Sequence, residues 1–174
     1  FSSPGEYKWE WGSGSATEDY DYYYYYGSGP SEGHDGGYYV YVDSSYPNYP
    51  NKGPFYLQSD VTSIRSVTFW YNMYGEDMGT LTFDTSSNDG GSWSTRWSLS
   101  GNQGEPWKEA TVNVPRATTT IRFAGTTGTG FSSFMAIDDV SVEYTGTKLT
   151  YSYFKMVSSY NSFTVGPTLR PTES

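Results

Sequence analysis

SVTFWYNMYGEDMGTLTF, the stretch from Ser66 to Phe83, contains two apolar runs on either side of a break. In residues 67–73 core-type side chains recur at every second position, and a period of two is typical of a strand with one face on a core. Residues 74–79 hold two glycines and two acids, which neither a strand nor a helix interior favours. Alternation resumes over residues 80–83. The stretch predicts two long strands that form a hairpin at the centre of a sheet.

The composition extends this prediction to the whole chain. Aromatic residues make up 20% of the 174 residues, and 19 residues are Tyr. Tyr, Phe, Val and Thr favour strands, and no segment shows the sustained apolar period of a helix. About ten short strands separated by turn residues are typical of a sandwich or jelly roll. We expect an all-β fold: a two-sheet antiparallel β-sandwich (jelly roll) with a C-terminal extra strand or tail.

The chain is predicted to consist of one domain followed by a tail. Residues 1–144 carry the strand pattern of the sandwich, and a chain of that length can bury a core without disulfides. Residues 145–174 differ in character and end in GPTLRPTES, which is typical of a linker because proline restricts it and nothing in it can build a core. Two further strands are predicted in the tail, one at Leu149, Tyr151 and Tyr153 and one at residues 162–165.

The charge balance and the absence of cysteine exclude several kinds of function. The formal net charge is −9, whereas nucleic acid and anionic membranes select basic surfaces. No apolar run approaches the roughly 18 residues of a membrane span. Without cysteine, disulfides, thiol catalysis and Cys-based zinc sites are excluded. The chain begins at Phe1 rather than Met, so we expect a processed or excised domain, extracellular or at the cell surface.

Several segments, in the right order along residues 1–144, resemble the MAM domain, the extracellular jelly-roll module of receptor phosphatases, meprins and neuropilins. The central stretch from Ser66 to Phe83 resembles the most recognisable part of that family. The other matching segments are Phe1 with Trp9, EDYDY (18–22), GSGPSEGHDGGYYVYVDSS (27–45), Trp107 and MAIDDVSV (135–142).

The resemblance implies an extracellular, non-enzymatic module that mediates adhesion or oligomerisation. It also implies four cysteines in two disulfides, which this chain lacks. Tyr7 and Ser66 stand where cysteines are common in the family. Because losing a disulfide typically costs about 2–5 kcal/mol in a small secreted domain, we expect aromatic packing, the tail or subunit contacts to compensate.

The adjacent acids Asp138 and Asp139 interrupt the last predicted strand. Neighbouring side chains of a strand point to opposite faces, so one carboxylate is expected to face inward, where it needs a partner or a metal. One interpretation is an acid capped by backbone N–H groups or paired with an Arg such as Arg122. The other, which the resemblance also implies, is a structural Ca²⁺ site with oxygen ligands. The candidate ligands are Asp138, Asp139, Asp35, Asp19 and Asp21.

Five consecutive tyrosines and the tail are the candidate interaction residues. A tyrosine run places rings on both faces of a strand, so it forms either an aromatic strand with one wet face or a stacking and assembly surface. A strand in the tail could add to the sheet edge of a neighbouring copy. We therefore expect a homo-oligomer or homopolymer, such as the repeating subunit of an extracellular fibre. The candidate residues are Tyr22, Tyr23, Tyr24, Tyr25, Tyr26, Leu149, Tyr151 and Tyr153.

A carbohydrate-binding module and an enzyme are the alternatives to an assembly module. A carbohydrate-binding module would use a Tyr/Trp face, with the tyrosine run or Trp70, Trp93, Trp97 and Trp107 as its rings, although these rings could equally be core and sheet-facing. An enzyme is not expected, because His34 is the only histidine and no nucleophile-elbow motif accompanies it.

Overall fold

The computed structural model describes residues 8–16 and 28–144, together with the backbone of residues 155–156 and 163–164. These residues contain eleven strands and no helix. The strands are β1 (Glu10–Ser13), β2 (Tyr38–Asp43), β3 (Phe55–Asp60), β4 (Ile64–Tyr74), β5 (Thr80–Ser86), β6 (Ser94–Ser100), β7 (Gly104–Asn113), β8 (Thr120–Thr126), β9 (Phe134–Tyr144), β10 (Lys155–Met156) and β11 (Phe163–Thr164).

The strands form two large antiparallel sheets that enclose one core. One sheet has the order β1-β2-β9-β4-β7 and the other the order β3-β8-β5-β6. Phe69 of the first sheet packs against Phe83 and Phe123 of the second, with ring centroids 5.9 and 4.9 Å apart, and all three side chains are fully buried. The predicted all-β, two-sheet antiparallel sandwich is confirmed.

The central stretch is not a hairpin, and that prediction is wrong. β4 pairs with β7 and β9, whereas β5 pairs with β6 and β8 in the opposite sheet. The connection between them crosses from one sheet to the other through Gly75 and Gly79. A Cβ added at either glycine would collide with a main-chain oxygen, of Ser132 or of Thr126 respectively. The sequence pattern predicted a turn within one sheet at this place. The two glycines permit the chain to pass closely from one sheet to the other.

Other local predictions hold. β5 and β6 form a hairpin through Asn88–Gly91, where Asp89 and Gly90 both have positive φ and the side chain of Asn88 accepts a hydrogen bond from the Ser92 N–H. Ser66, at a position where the resembled family usually has cysteine, donates its hydroxyl hydrogen to Glu143 across the β4–β9 pair at 2.9 Å. Ser66 therefore makes a polar cross-strand contact at this position.

The tail contributes two short strands outside the sandwich. β10 and β11 pair with each other in antiparallel fashion and belong to neither large sheet. β11 coincides with the strand predicted at residues 162–165 and lies beside β3, the edge strand of the four-stranded sheet. The strand predicted at Leu149, Tyr151 and Tyr153 lies outside the described residues.

Candidate functional site

A bulge in the ladder between β4 and β9 turns both candidate acids of β9 toward the loop that precedes β2. Thr68 is opposite Ser141 and Trp70 is opposite Asp138, so two residues of β9 face the single residue between them on β4. Asp139 accordingly has a φ of +46°, as the extra residue of a bulge leaves the regular strand conformation. Because of this irregularity the two carboxylates do not point to opposite faces, as a regular strand predicted.

Both carboxylates bind His34 in the loop that precedes β2. The backbone N–H of His34 donates to Asp138 Oδ2 at 2.8 Å, and the Asp139 N–H donates to Asp138 Oδ1 at 2.7 Å. Asp139 Oδ2 lies 2.7 Å from Nδ1 of the His34 ring. Asp138 is 4% exposed. Because both of its oxygens accept backbone N–H groups, it is a buried acid capped by the backbone, which is one of the two arrangements expected. Its alternative pairing with Arg122 is wrong, because Arg122 belongs to the other sheet and binds Asp84.

Burial raises the pKa of Asp138 from its usual 3.8 to about 6. Loss of hydration is the largest cause, because removing water disfavours the charged form of a carboxyl group. The two N–H donors from His34 and Asp139 act in the opposite direction, and the negative charges of Asp139 and Asp35 raise the pKa further. Three acids thus lie near enough to one another that a cation among them would relieve their repulsion.

The described residues do not by themselves complete a cation site. Asp35 is near Asp138, but its Oδ1 accepts the N–H of Gly37 at 2.8 Å. Within residues 8–16 and 28–144, no group of three or more His, Asp or Glu side chains is arranged to hold a metal. The two other predicted ligands, Asp19 and Asp21, lie outside the described residues. The calcium site therefore remains a prediction.

Aromatic rings hold His34 against the outer face of the five-stranded sheet. The His34 ring stacks on Trp70 with centroids 3.7 Å apart and planes 16° from parallel. Trp107 stands edge-on to it at 6.4 Å and donates its indole N–H to the carbonyl of Glu32 at 3.0 Å. These contacts hold the loop around His34 in place, so this histidine has a structural role.

A second cluster lies on the outer face of the four-stranded sheet. The Arg122 guanidinium carbon is 4.3 Å from the ring centre of Tyr56 and 4.0 Å from that of Trp93. Arg122 Nε donates to Asp84 Oδ2 at 2.9 Å, and the Thr95 hydroxyl donates to Asp84 Oδ1 at 2.7 Å. We call Tyr56, Arg122 and Trp93 the cation–aromatic ladder. Trp93 was predicted as a candidate sugar-stacking ring and Arg122 only as a partner for Asp138, whereas Tyr56 was not among the candidates. Arg122 sits at an outward position between the buried residues Ile121 and Phe123 of β8.

The four tryptophans predicted as candidates for a sugar-stacking face do not lie on one surface. Trp97 packs on the core against Phe69, with ring centroids 5.3 Å apart. Trp70 and Trp107 belong to the opposite sheet, next to His34, so only Trp93 lies on the outer face of the four-stranded sheet. The candidate interaction residues Tyr22, Tyr23, Tyr24, Tyr25, Tyr26, Leu149, Tyr151 and Tyr153 lie outside the described residues.

Comparison with known proteins agrees with the fold and with the predicted family. The model of the MAM domain family (meprin/A5/mu) matches residues 2–146. The chain belongs to the MAM family. The extracellular or cell-surface localisation predicted from the sequence is confirmed by this membership. No catalytic family is indicated.

The curated relatives share one module with this chain. The human MAM domain-containing glycosylphosphatidylinositol anchor protein 1 is 35% identical over 114 residues, which cover 62% of this chain and 12% of the relative. Neuropilin-1 of Xenopus laevis is 31% identical over 122 residues, covering 66% of this chain and 13% of that protein. The MAM chain therefore spans about an eighth of the length of these relatives.

Among solved structures, the K1 cleaved adhesin domain of Lys-gingipain from Porphyromonas gingivalis W83 has a similar fold. The TM-score is 0.52 at 17% identity, and the alignment covers 80% of this chain and 85% of that domain. The described part of the MAM chain contains no helix with the length and hydropathy needed to cross a membrane.

Proposed function

We propose that this MAM chain is a non-enzymatic extracellular adhesion module that self-associates and forms the repeating subunit of a fibre through its C-terminal segment. One observation carries the proposal. β10 and β11 lie beyond the residues matched by the family, and β11 is placed beside the edge strand β3. A strand outside a complete sandwich is available to pair with an edge elsewhere.

The physics of sheet edges supports such an assembly. An edge strand presents unpaired N–H and C=O groups that can pair with a strand from another chain, and main-chain hydrogen bonds then supply the affinity. Tyrosine adds contact area at low entropic cost, and 19 of the residues are Tyr. The proposal needs no cofactor or enzymatic activity.

Sedimentation velocity over a concentration series tests the proposal on the full chain and on a chain that ends after residue 146. We expect the full chain to sediment as a growing series of assemblies and the shortened chain to remain a monomer. Electron microscopy of the concentrated full chain should then show fibres. Monomers of both chains at the highest concentration would refute self-association.

We also propose a structural calcium ion next to Asp138, with Asp139, Asp35 and one of Asp19 or Asp21 as oxygen ligands. The mutual repulsion of the described acids supports it. Calcium should raise the melting temperature of the protein and chelator should lower it, and Asp35→Asn should reduce this difference. A melting temperature that is the same in calcium and in chelator contradicts the proposal.

Carbohydrate binding is a second candidate function, favoured by the cation–aromatic ladder. Rings and a guanidinium on an open sheet face offer stacking surface and hydrogen-bond donors to a sugar. A glycan array tests this with Tyr56→Ala and Trp93→Ala, alongside a variant with alanine at both Tyr23 and Tyr25. Loss of a glycan signal in the first two variants supports the ladder as the platform, whereas loss only in the third assigns it to the tyrosine run.

A further inference from the structure

The main chain of β3 is turned alternately toward β8 and toward the open edge. Asp60 is opposite Thr120 in the register, and the next N–H along the chain, from Val61, donates to the Thr119 carbonyl at 2.8 Å. In an antiparallel ladder, residues that exchange hydrogen bonds alternate with residues that do not. The peptide groups of Tyr56, Gln58 and Asp60 therefore face away from β8.

The groups at this edge are not used by another strand of the described chain. β3 pairs only with β8 in the described sheets. β11 lies beside β3, but no ladder joins the two strands among the residues that the structure describes. The N–H and C=O groups of Tyr56 and Gln58 that face this edge thus enter no ladder among the described residues, whereas the Asp60 carbonyl accepts a hydrogen bond from the Ser59 hydroxyl.

The other three edges of the sandwich carry features that oppose strand addition. β1 has only four residues. β7 contains Pro106 and the charged residues Lys108 and Glu109. β6 is interrupted by a bulge, because the register shifts between Phe83 and Asp84 of its partner. Short length, charge, proline and bulges all protect sheet edges, whereas β3 pairs over six residues without any shift in register.

We propose that the open edge of β3 is the acceptor for the C-terminal strand of a second copy of this chain. The inference rests on the proposed self-association and names its interface. Ten residues, 145–154, separate the end of β9 from β10, which pairs with β11, and a chain of that length can span at most about 35 Å. The tail of one copy can therefore reach the β3 edge of the next.

This contact joins two different surfaces, a tail and an edge. A contact of this kind leaves one free tail and one free edge at the ends of every assembly. If the rotation that relates neighbouring copies does not close a ring, further copies can add to both ends without limit. The result is a filament in which each sandwich contributes a donor strand and an acceptor edge.

Proline substitutions at matched positions test the interface. Gln58→Pro removes an N–H from the β3 edge, and Thr164→Pro does the same in β11. The controls are Ser98→Pro, at an edge-facing position of β6, and Thr172→Pro, near the C-terminus. In sedimentation velocity, Gln58→Pro and Thr164→Pro should each raise the concentration for half-assembly at least about tenfold, equivalent to 1.4 kcal/mol. The controls should assemble like the original chain.

A mixture of the two interface variants gives the sharper result. Gln58→Pro retains a working tail and Thr164→Pro retains a working edge, so each mixed pair has one intact interface. The mixture should form heterodimers and nothing longer. If Gln58→Pro alone assembles normally while the chain ending after residue 146 does not, the β3 edge is refuted and tail-dependent self-association stands. If the full chain never assembles, the proposed function itself fails.

Cross-linking covers the case in which Gln58→Pro does not fold. The chain has no cysteine, so Gln58→Cys and Thr164→Cys each introduce the only thiol. A short bis-maleimide added to an equal mixture of the two variants should give a cross-linked dimer that contains one of each. Absence of that mixed dimer under conditions in which the chains assemble overturns the proposal.

Discussion

At the scale of single residues, the pair Asp138 and Asp139 shows what a sequence pattern can and cannot establish. A buried carboxylate needs N–H donors because burial removes the water that would otherwise solvate it. The backbone N–H of His34 is one such donor to Asp138. The bulge that turns both carboxylates toward His34 depends on the positive φ of Asp139, which no periodicity encodes. The donor, too, lies 104 residues away in the chain, so its identity required the folded structure.

The raised pKa of Asp138 predicts an unusual dependence of stability on pH. The native state holds this proton up to about pH 6, whereas the unfolded state loses it near 3.8. Between these values the native state binds more protons, so the contribution of Asp138 to stability falls as the pH rises through the window. Urea unfolding of the original protein and of Asp138→Asn, in chelator from pH 4 to 7, measures the difference.

We expect the unfolding free energy of the original protein to decrease relative to that of Asp138→Asn across this window. The asparagine cannot accept both N–H bonds, and an unsatisfied buried donor costs about 1–3 kcal/mol. The variant should therefore be the less stable protein at pH 4, with the gap narrowing toward pH 7. Parallel curves for the two proteins would contradict the raised pKa.

At the scale of elements, alternation predicted the strands and their buried faces but not their partners. β4 and β5 each bury the side chains that the pattern assigned to the core, among them Phe69 and Phe83. A period of two indicates which face of a strand is buried. The same alternation fits two strands that pair in a hairpin and two strands that belong to opposite sheets. The choice between the two depends on the contacts of Gly75 and Gly79 with residues about 50 positions away.

The crossing predicts that Gly79 tolerates no side chain. Gly79→Ala would drive a methyl group into the main chain of residues 126–128, and forcing extra volume into a packed site costs roughly 1–3 kcal/mol or more. Gly101→Ala is the control, because its φ of +77° carries a backbone strain but nothing lies within 4 Å of the added Cβ. Thermal unfolding should show a markedly larger loss for Gly79→Ala. Equal losses would mean that the crossing can relax.

At the scale of the whole molecule, the acidic charge and the proposed strand addition act against each other. Each chain carries a formal net charge of −9, so copies repel one another at low ionic strength. The described β3 edge is largely uncharged, with Tyr56 and Gln58 preceding a single acid at Asp60. Main-chain hydrogen bonds between neutral peptide groups are little affected by salt, whereas repulsion between charged copies is screened by it.

Salt should therefore strengthen the assembly of this MAM chain. The screening length falls from about 30 Å at 0.01 M to about 8 Å at 0.15 M ionic strength, which removes most of the repulsion between neighbouring sandwiches. Light scattering during a salt titration at pH 7 should show association increasing over this range, and acidification toward the sequence pI of 4.4 should have the same effect. An interface built on ion pairs would respond in the opposite direction, because screening weakens attraction between unlike charges. Dissociation on adding salt would therefore count against strand addition as the basis of assembly.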